Sequence, residues 1–194
     1  MPTGSDYENQ EFHDVVLSSE TVSDCTFTSC VFVNCTFEKC NFRDVRLTEC
    51  TFRNCKMISN KFTKCSARDL VLEKCAVIGL VFAQIKSSGF GSPLESAVGC
   101  TMKYCIFEGI DMPKVSFKNS ELLESTFSDC DLSGCDFTNC SLSGTEYSHC
   151  SIVNSDFRES RGFIISLSTC RAKGAMFSYP EAIHLLDEFG VKIH

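Results

Sequence analysis

Fifteen cysteines and four histidines are the residues of this chain whose types could do covalent or metal chemistry. Thiols can pair as disulfides, ligate a soft metal, or act as nucleophiles beside a histidine base. The cysteines stand at 25, 30, 35, 40, 50, 55, 65, 75, 100, 105, 130, 135, 140, 150 and 170, every one a multiple of five. A disulfide framework has no reason to keep such a lattice, and an odd number cannot pair completely. Zinc sites favour closely spaced cysteine pairs joined by a second pair or by histidines. No CxxC occurs, and His13, His149, His184 and His194 are scattered. His149 adjoins Cys150, but neighbours on such a lattice point to opposite sides, which parts a base from a nucleophile. No catalytic residue, metal or cofactor is expected. The thiols read as small, readily buried packing groups, kept reduced in a reducing compartment.

The elements that position them follow from the same period. Two residues after each thiol comes a large apolar residue, as in CTFTSCVFVNCTFEKCNF at 25–42. Followed in steps of five from Phe12 to Phe177, these centres number 34, and all but Ser87, Ser92 and Gly162 are apolar, against about fifteen expected from a 43% apolar composition. Two residues before each centre sits a small or apolar residue; the other three positions are mostly polar. A helix would show a period near 3.6 and a strand a period of 2. Units of five cannot bury an apolar side alone, so they must stack into a solenoid with one continuous core.

At this point the units CTFEK, CNFRD, CDLSG, CDFTN and SDFRE resemble the pentapeptide-repeat motif. The resemblance implies an all-β fold, a right-handed quadrilateral β-helix with four units per coil, over roughly residues 10–179. Residues twenty apart would then stack at about 4.8 Å. Eight to nine coils would make a rod roughly 40 Å long. The centres would fill the faces, and the narrower corners would admit only small side chains. Cys30 would lie over Cys50, and Cys130, Cys150 and Cys170 would stand in file.

Two segments depart from the lattice. Residues 83–99, AQIKSSGFGSPLESAVG, lose the centres but keep phase, since Phe82 and Met102 are twenty apart. This segment reads as an irregular coil with a surface excursion of turn formers, and Ser88, Phe90 and Ser92 are candidate contact residues in it. In RGFII (161–165), Gly162 falls on a centre, which predicts that Phe163 turns inward instead. Residues 1–9 are expected to be a flexible N-terminus. Residues 180–194 are expected to form a short C-terminal α-helix and a short strand at GVKI. Ser178 with Glu181 reads as a capping box, Pro180 suits a first turn, and Gly190 suits a stop. The helix would cap the stack, and Tyr179, Ile183, Leu186 and Phe189 would make a homodimer contact.

The net charge of −7 lies in one place: residues 105–160 hold ten acids and three bases, whereas 1–104 and 161–194 sum to −1 and +1. Asp111, Glu121, Asp131, Asp136, Glu146 and Asp156 precede centres and are expected to point outward as a partner-binding surface. A stiff rod with regular negative charge has the electrostatic profile of duplex DNA; it should attract a basic groove and repel nucleic acid. The layout is similar to the Qnr quinolone-resistance, mycobacterial-type fluoroquinolone-resistance, albicidin-resistance and microcin-immunity members of the family. Those proteins dimerise through the C-terminal helix and act on DNA gyrase. The resemblance implies a DNA mimic that binds gyrase or another type II topoisomerase and protects it from a poison. A structural scaffold with an unrelated partner is the alternative. No apolar run approaches the roughly 18 residues of a membrane span, and no secretory signal opens the chain, so a cytoplasmic protein is expected.

Overall fold

The computed structural model describes residues 4–87 and 91–191. The chain winds into a parallel β-solenoid of about eight coils, with strands mostly three residues long. Strand pairs in the first half keep a register of twenty on all four faces, as in Phe12↔Phe32, Leu17↔Phe37, Val22↔Phe42 and Phe27↔Leu47. We number the faces first to fourth from the strands Asp6–Glu8, Glu11–His13, Val16–Ser18 and Thr21–Ser23. The solenoid begins earlier than expected. Asp6–Glu8 already pairs with Thr26–Thr28, so the flexible N-terminus assigned to 1–9 is corrected: residues 4–9 belong to the first coil.

Most corners are turned by one residue in the left-handed region, from Asn9, Asp14, Ser19 and Asp24 through to Asn154 and Glu159. Asn, Asp and Gly tolerate this conformation best. Within the core, rings stack down a face and meet edge-on across faces. Phe107 and Phe127 stack at 4.3 Å, and Phe127 meets Phe137 at 85°.

The corner columns do more than fill space. The small inward side chain accepts the backbone N–H of the residue stacked beneath it, and donates to the carbonyl 23 residues back. Asn60 accepts the Cys40 N–H and donates to the Phe37 carbonyl, both at 2.9 Å. Ser120 does the same for Cys100 and Ala97. Cys55 accepts from Cys35 and donates to the Phe32 carbonyl. The corner N–H has no strand partner, and leaving it bare would cost about 1–3 kcal/mol; the carbonyl belongs to a paired strand residue and gains a second bond. Cys, Ser, Thr and Asn recur there because each is both small and hydrogen-bonding. All fifteen thiols are buried.

The mid-chain segment keeps phase in fives but not in twenties. Val77 pairs with Met102, and Phe82 stacks on Phe107 at 4.3 Å, each pair 25 apart. One coil therefore holds an extra unit, and the expected stacking of Phe82 with Met102 is corrected. At the second fault, Phe163 does turn inward and is buried. Gly162 is required there: its φ is +75°, and a Cβ would lie 3.0 Å from the Ser143 Cα. The register drops to 18, so that Ile165, not Leu167, stacks beside Tyr147; Cys150 and Cys170 return to twenty through Ser151↔Arg171.

The core is not filled solidly throughout. An apolar cavity of about 70 Å³ lies in the N-terminal half, lined among others by Phe32, Phe52, Met57, Leu72 and Val77. The coil at 25–44 carries four phenylalanines, whereas the coils after it carry Leu47, Met57, Leu72 and Val77, which fall short of the axis. At the N-terminal end Tyr7, Phe12, Val15 and Leu17 are only half-buried. The strands Asp6–Glu8, Glu11–His13 and Val16–Ser18 have no partner on that side among the described residues, the Ser23 carbonyl of the fourth accepts the Gly4 N–H, and residues 4–24 carry six carboxylates and no Lys or Arg.

The C-terminal segment is a 3-10 helix, Glu181–Phe189, and not the α-helix expected. Its bonds run three residues back, as in Ile183 N–H to the Pro180 carbonyl and Gly190 N–H to that of Asp187. The capping box does not form: Pro180 is the cap, and Ser178 Oγ instead accepts the Glu159 N–H. Gly190 ends the helix in the left-handed conformation as expected. Of the strand foreseen at GVKI, residues 192–194 lie outside the described residues.

Candidate functional site

A three-residue helical repeat puts Ala182, Leu185 and Glu188 on one stripe, and Ile183, Leu186 and Phe189 on another. The first stripe is the capping one. Leu185 packs on the core, and Glu188 accepts from the hydroxyls of Ser166 and Ser168 and from the Ser168 N–H. The second stripe holds three of the expected dimer residues. Leu186 and Phe189 are exposed, Ile183 is half-buried, and Tyr179 nearby is 82% exposed. Leu185 was missed as the docking residue because an α-helical reading does not separate it from Leu186.

The six expected acidic residues do not share one face. Asp111 and Asp131 stack on the first face, and Asp136 and Asp156 on the second. Glu121 lies on the third, paired with Thr101 and Ser141, and Glu146 on the fourth, paired with Thr126. They divide by role as well. On the first two faces of the C-terminal half the units close as β-turns, with Cys135 N–H bonded to the Leu132 carbonyl and Gly134 at φ +72°. The preceding carboxylate secures each turn. Asp131 accepts the Ser133 N–H and hydroxyl, and Asp136 those of Thr138. Asp156 accepts the Arg158 N–H and its guanidinium, which hold its carboxyl below the usual range. Asp111, Glu121 and Glu146 are exposed, and Glu108, Glu124, Asp129 and Glu159 add exposed carboxylates in the same coils. The acidic zone is a sleeve around the rod.

A basic zone went unseen because it cancels within residues 1–104. Residues 45–64, a single coil, carry Arg46, Arg53, Lys56, Lys61 and Lys64 against Glu49 alone. The rod is thus banded: acidic at its first coil, basic at its third, acidic again beyond the interruption.

Of the candidate contact residues, Ser88 and Phe90 lie outside the described residues. Ser92 is half-buried, its hydroxyl accepting the Leu94 N–H at 3.2 Å, and it lines a cleft on the first face.

The thiols differ in chemistry by depth. Burial pushes Cys105 and Cys140 up to about 11 and Cys135 up to about 12. At the last coil, a hydrogen bond from Cys150 pulls Cys170 down to about 6.

Comparison with known proteins bears on the repeat itself. A family model described as a pentapeptide repeat region matches residues 100–177, and one for nine copies of the pentapeptide repeat matches residues 9–56. The chain belongs to the pentapeptide-repeat family. No curated protein sequence matches it. Among solved structures, HetL, a pentapeptide-repeat protein involved in heterocyst differentiation regulation from the cyanobacterium Nostoc sp. strain PCC 7120, covers 90% of this chain and 85% of its own, with 13% identity and a TM-score of 0.61. Full-length QnrB1, a plasmid-mediated fluoroquinolone resistance protein, is 15% identical with a TM-score of 0.43, over 93% of this chain and 100% of its own. A trypsin-treated form of QnrB1 is 20% identical over 99% and 92%, at a TM-score of 0.43. At such identities, the HetL likeness supports the fold alone. No helix among the described residues is long and apolar enough to cross a membrane.

Proposed function

We propose that this pentapeptide-repeat protein is a DNA mimic whose C-terminal coils enter the basic DNA groove of gyrase or a related type II topoisomerase and shield it from a poison. One observation carries the reading. Residues 105–160 hold a net charge of −7 within about 14 Å of rod, a little under three coils at about 4.8 Å. That is one charge per roughly 2 Å, against about 1.7 Å for duplex DNA. The carboxylates surround the rod, as phosphates surround a duplex. The exposed apolar stripe at Tyr179, Ile183, Leu186 and Phe189 pairs two copies end to end, extending the acidic surface across the junction.

The test must remove charge without breaking turns. Asp131, Asp136 and Asp156 secure their own backbone, so charge reversal there would confound recognition with folding. Asparagine keeps an acceptor oxygen in place. The variant Asp111→Asn, Glu121→Gln, Asp131→Asn, Asp136→Asn, Glu146→Gln and Asp156→Asn should fold and dimerise, yet lose its effect on gyrase supercoiling with and without a poison. An unchanged effect would eliminate mimicry. Ile183→Arg with Leu186→Arg should give a folded monomer with a weakened effect.

The basic coil at 45–64 favours a second reading, a scaffold whose partner is unrelated to DNA enzymes. Five cations on every side of one coil fit no groove that binds DNA. Retention of gyrase activity in the six-site variant would favour this alternative.

A further inference from the structure

Among the described residues the ladder between coils is interrupted twice. On the fourth face, Lys61–Thr63 meets the 3-10 turn Phe82–Gln84 in place of a strand. The chain closes that gap itself, with Gln84 Oε1 accepting the Phe62 N–H at 3.1 Å. On the first face, Ile85–Ser87 pairs with the strand Cys65–Arg68 on one side only. The next unit of that face, at Asp111, pairs only onward with Asp131. Between these two edges lies a cleft of about 860 Å³, within the usual range of binding pockets.

The cleft has a floor and a charged lining. Ile85, Leu94, Ile110 and Val115 line it with apolar surface. Four carboxylates, of Asp69, Glu95, Glu108 and Asp111, face two ammonium groups, of Lys86 and Lys114. Unpaired strand edges are templates for another chain. Strand addition supplies affinity through backbone bonds and specificity through alternate side chains.

We propose that this cleft receives an extended, basic segment of a partner polypeptide as an added strand. The segment bonds to the free edge of Ile85–Ser87, turns small apolar side chains to the floor, and sets Lys or Arg against the carboxylates. Three residues of edge suit a short segment. The site shares Glu108 and Asp111 with the acidic zone, but it needs neither the coils beyond them nor the dimer, and Asp69, Glu95 and the edge of Ile85–Ser87 lie outside that zone.

The full-length protein is titrated with fluorescein-labelled Lys-Val-Thr-Val-Lys, followed by anisotropy and by backbone amide shifts. Saturable binding with shifts confined to Ile85–Ser87 and 109–115 is expected. Glu-Val-Thr-Val-Glu should bind at least about tenfold more weakly, as should Lys-Val-Pro-Val-Lys, whose central residue lacks an N–H. Glu95→Lys should weaken the first peptide several-fold and Lys86→Glu should tighten it; both lie outside residues 105–160, so supercoiling effects should persist in each. No binding at millimolar peptide overturns the proposal. So does equal binding of the proline peptide, or shifts spread over the acidic coils, since either would mean charge attraction without strand addition.

Discussion

Replacing Asn60 by alanine removes two hydrogen bonds at one buried corner. The Cys40 N–H loses its acceptor and is left bare, whereas the Phe37 carbonyl loses a second donor and keeps its place in the ladder beside Met57. At about 1–3 kcal/mol for the bare N–H and about 0.5–1.5 kcal/mol for the second bond to the carbonyl, the cost comes to about 2–4 kcal/mol. For a chain of this size that lowers the melting temperature by roughly 5–15 °C. Asn60→Ser is the decisive control. Ser120 makes both bonds with one hydroxyl in the equivalent column, so serine at 60 should recover most of the loss although it fills less volume. Thermal unfolding of the three proteins by circular dichroism compares them directly. Equal melting of the alanine and serine variants would refute the reasoning, and would mean that corner residues act through size alone.

Tyr147 is 1% exposed, and its hydroxyl has no hydrogen-bond partner among the described residues; Tyr147→Phe should stabilise the protein by about 1–3 kcal/mol, read from the urea midpoint. In alkylation with iodoacetamide followed by mass spectrometry, Cys170, held below the usual thiol range by the hydrogen bond from Cys150, should react first, while Cys135, pushed up to about 12, stays unlabelled until unfolding. Uniform labelling across the thiols would contradict the assigned columns. The Asp156 carboxyl is depressed in the folded state, chiefly by the Arg158 guanidinium. Its contribution is therefore complete above the unfolded carboxylate value, about 4, and is lost as pH falls through the lower folded value. Arg158→Gln should flatten that acid limb of melting temperature against pH, and an unaltered limb would count against the pair.

The five-residue period was legible because burial imposes it at nearly every centre, from Phe12 to Phe177. The twenty-residue register was not, after Phe82. A pentad pattern reports phase within a unit and says nothing of which face a unit occupies; ladder closure decides that, and it paired Val77 with Met102. The inward turn of Phe163 could be foreseen, since Gly162 left a centre empty. The return to register through Ile165 could not, because Leu167 is equally apolar. The terminal helix was visible from Ile183, Leu186 and Phe189, but amphipathic spacing of three fits either helix type. The acidic residues were identifiable individually, whereas their distribution over four faces follows from the fold. Aspartate before a centre secures a turn at 131, 136 and 156 through the N–H two residues on, and at 111 that residue is Pro113, which has no N–H to give.

The first described coil bears on how far the molecule can grow. A contact made through the terminal helices is two-fold and closes after two copies. Among the described residues the strand edges around half-buried Tyr7, Phe12 and Leu17 have no partner and obey no such limit: any chain that docks there could continue the solenoid and invite the next, as in a fibril. The far end is covered by the helix, which forbids head-to-tail growth. Head-to-head growth would bring two rings of six carboxylates face to face. One end is thus sealed by shape and the other by charge, and only the second seal weakens in acid or in salt.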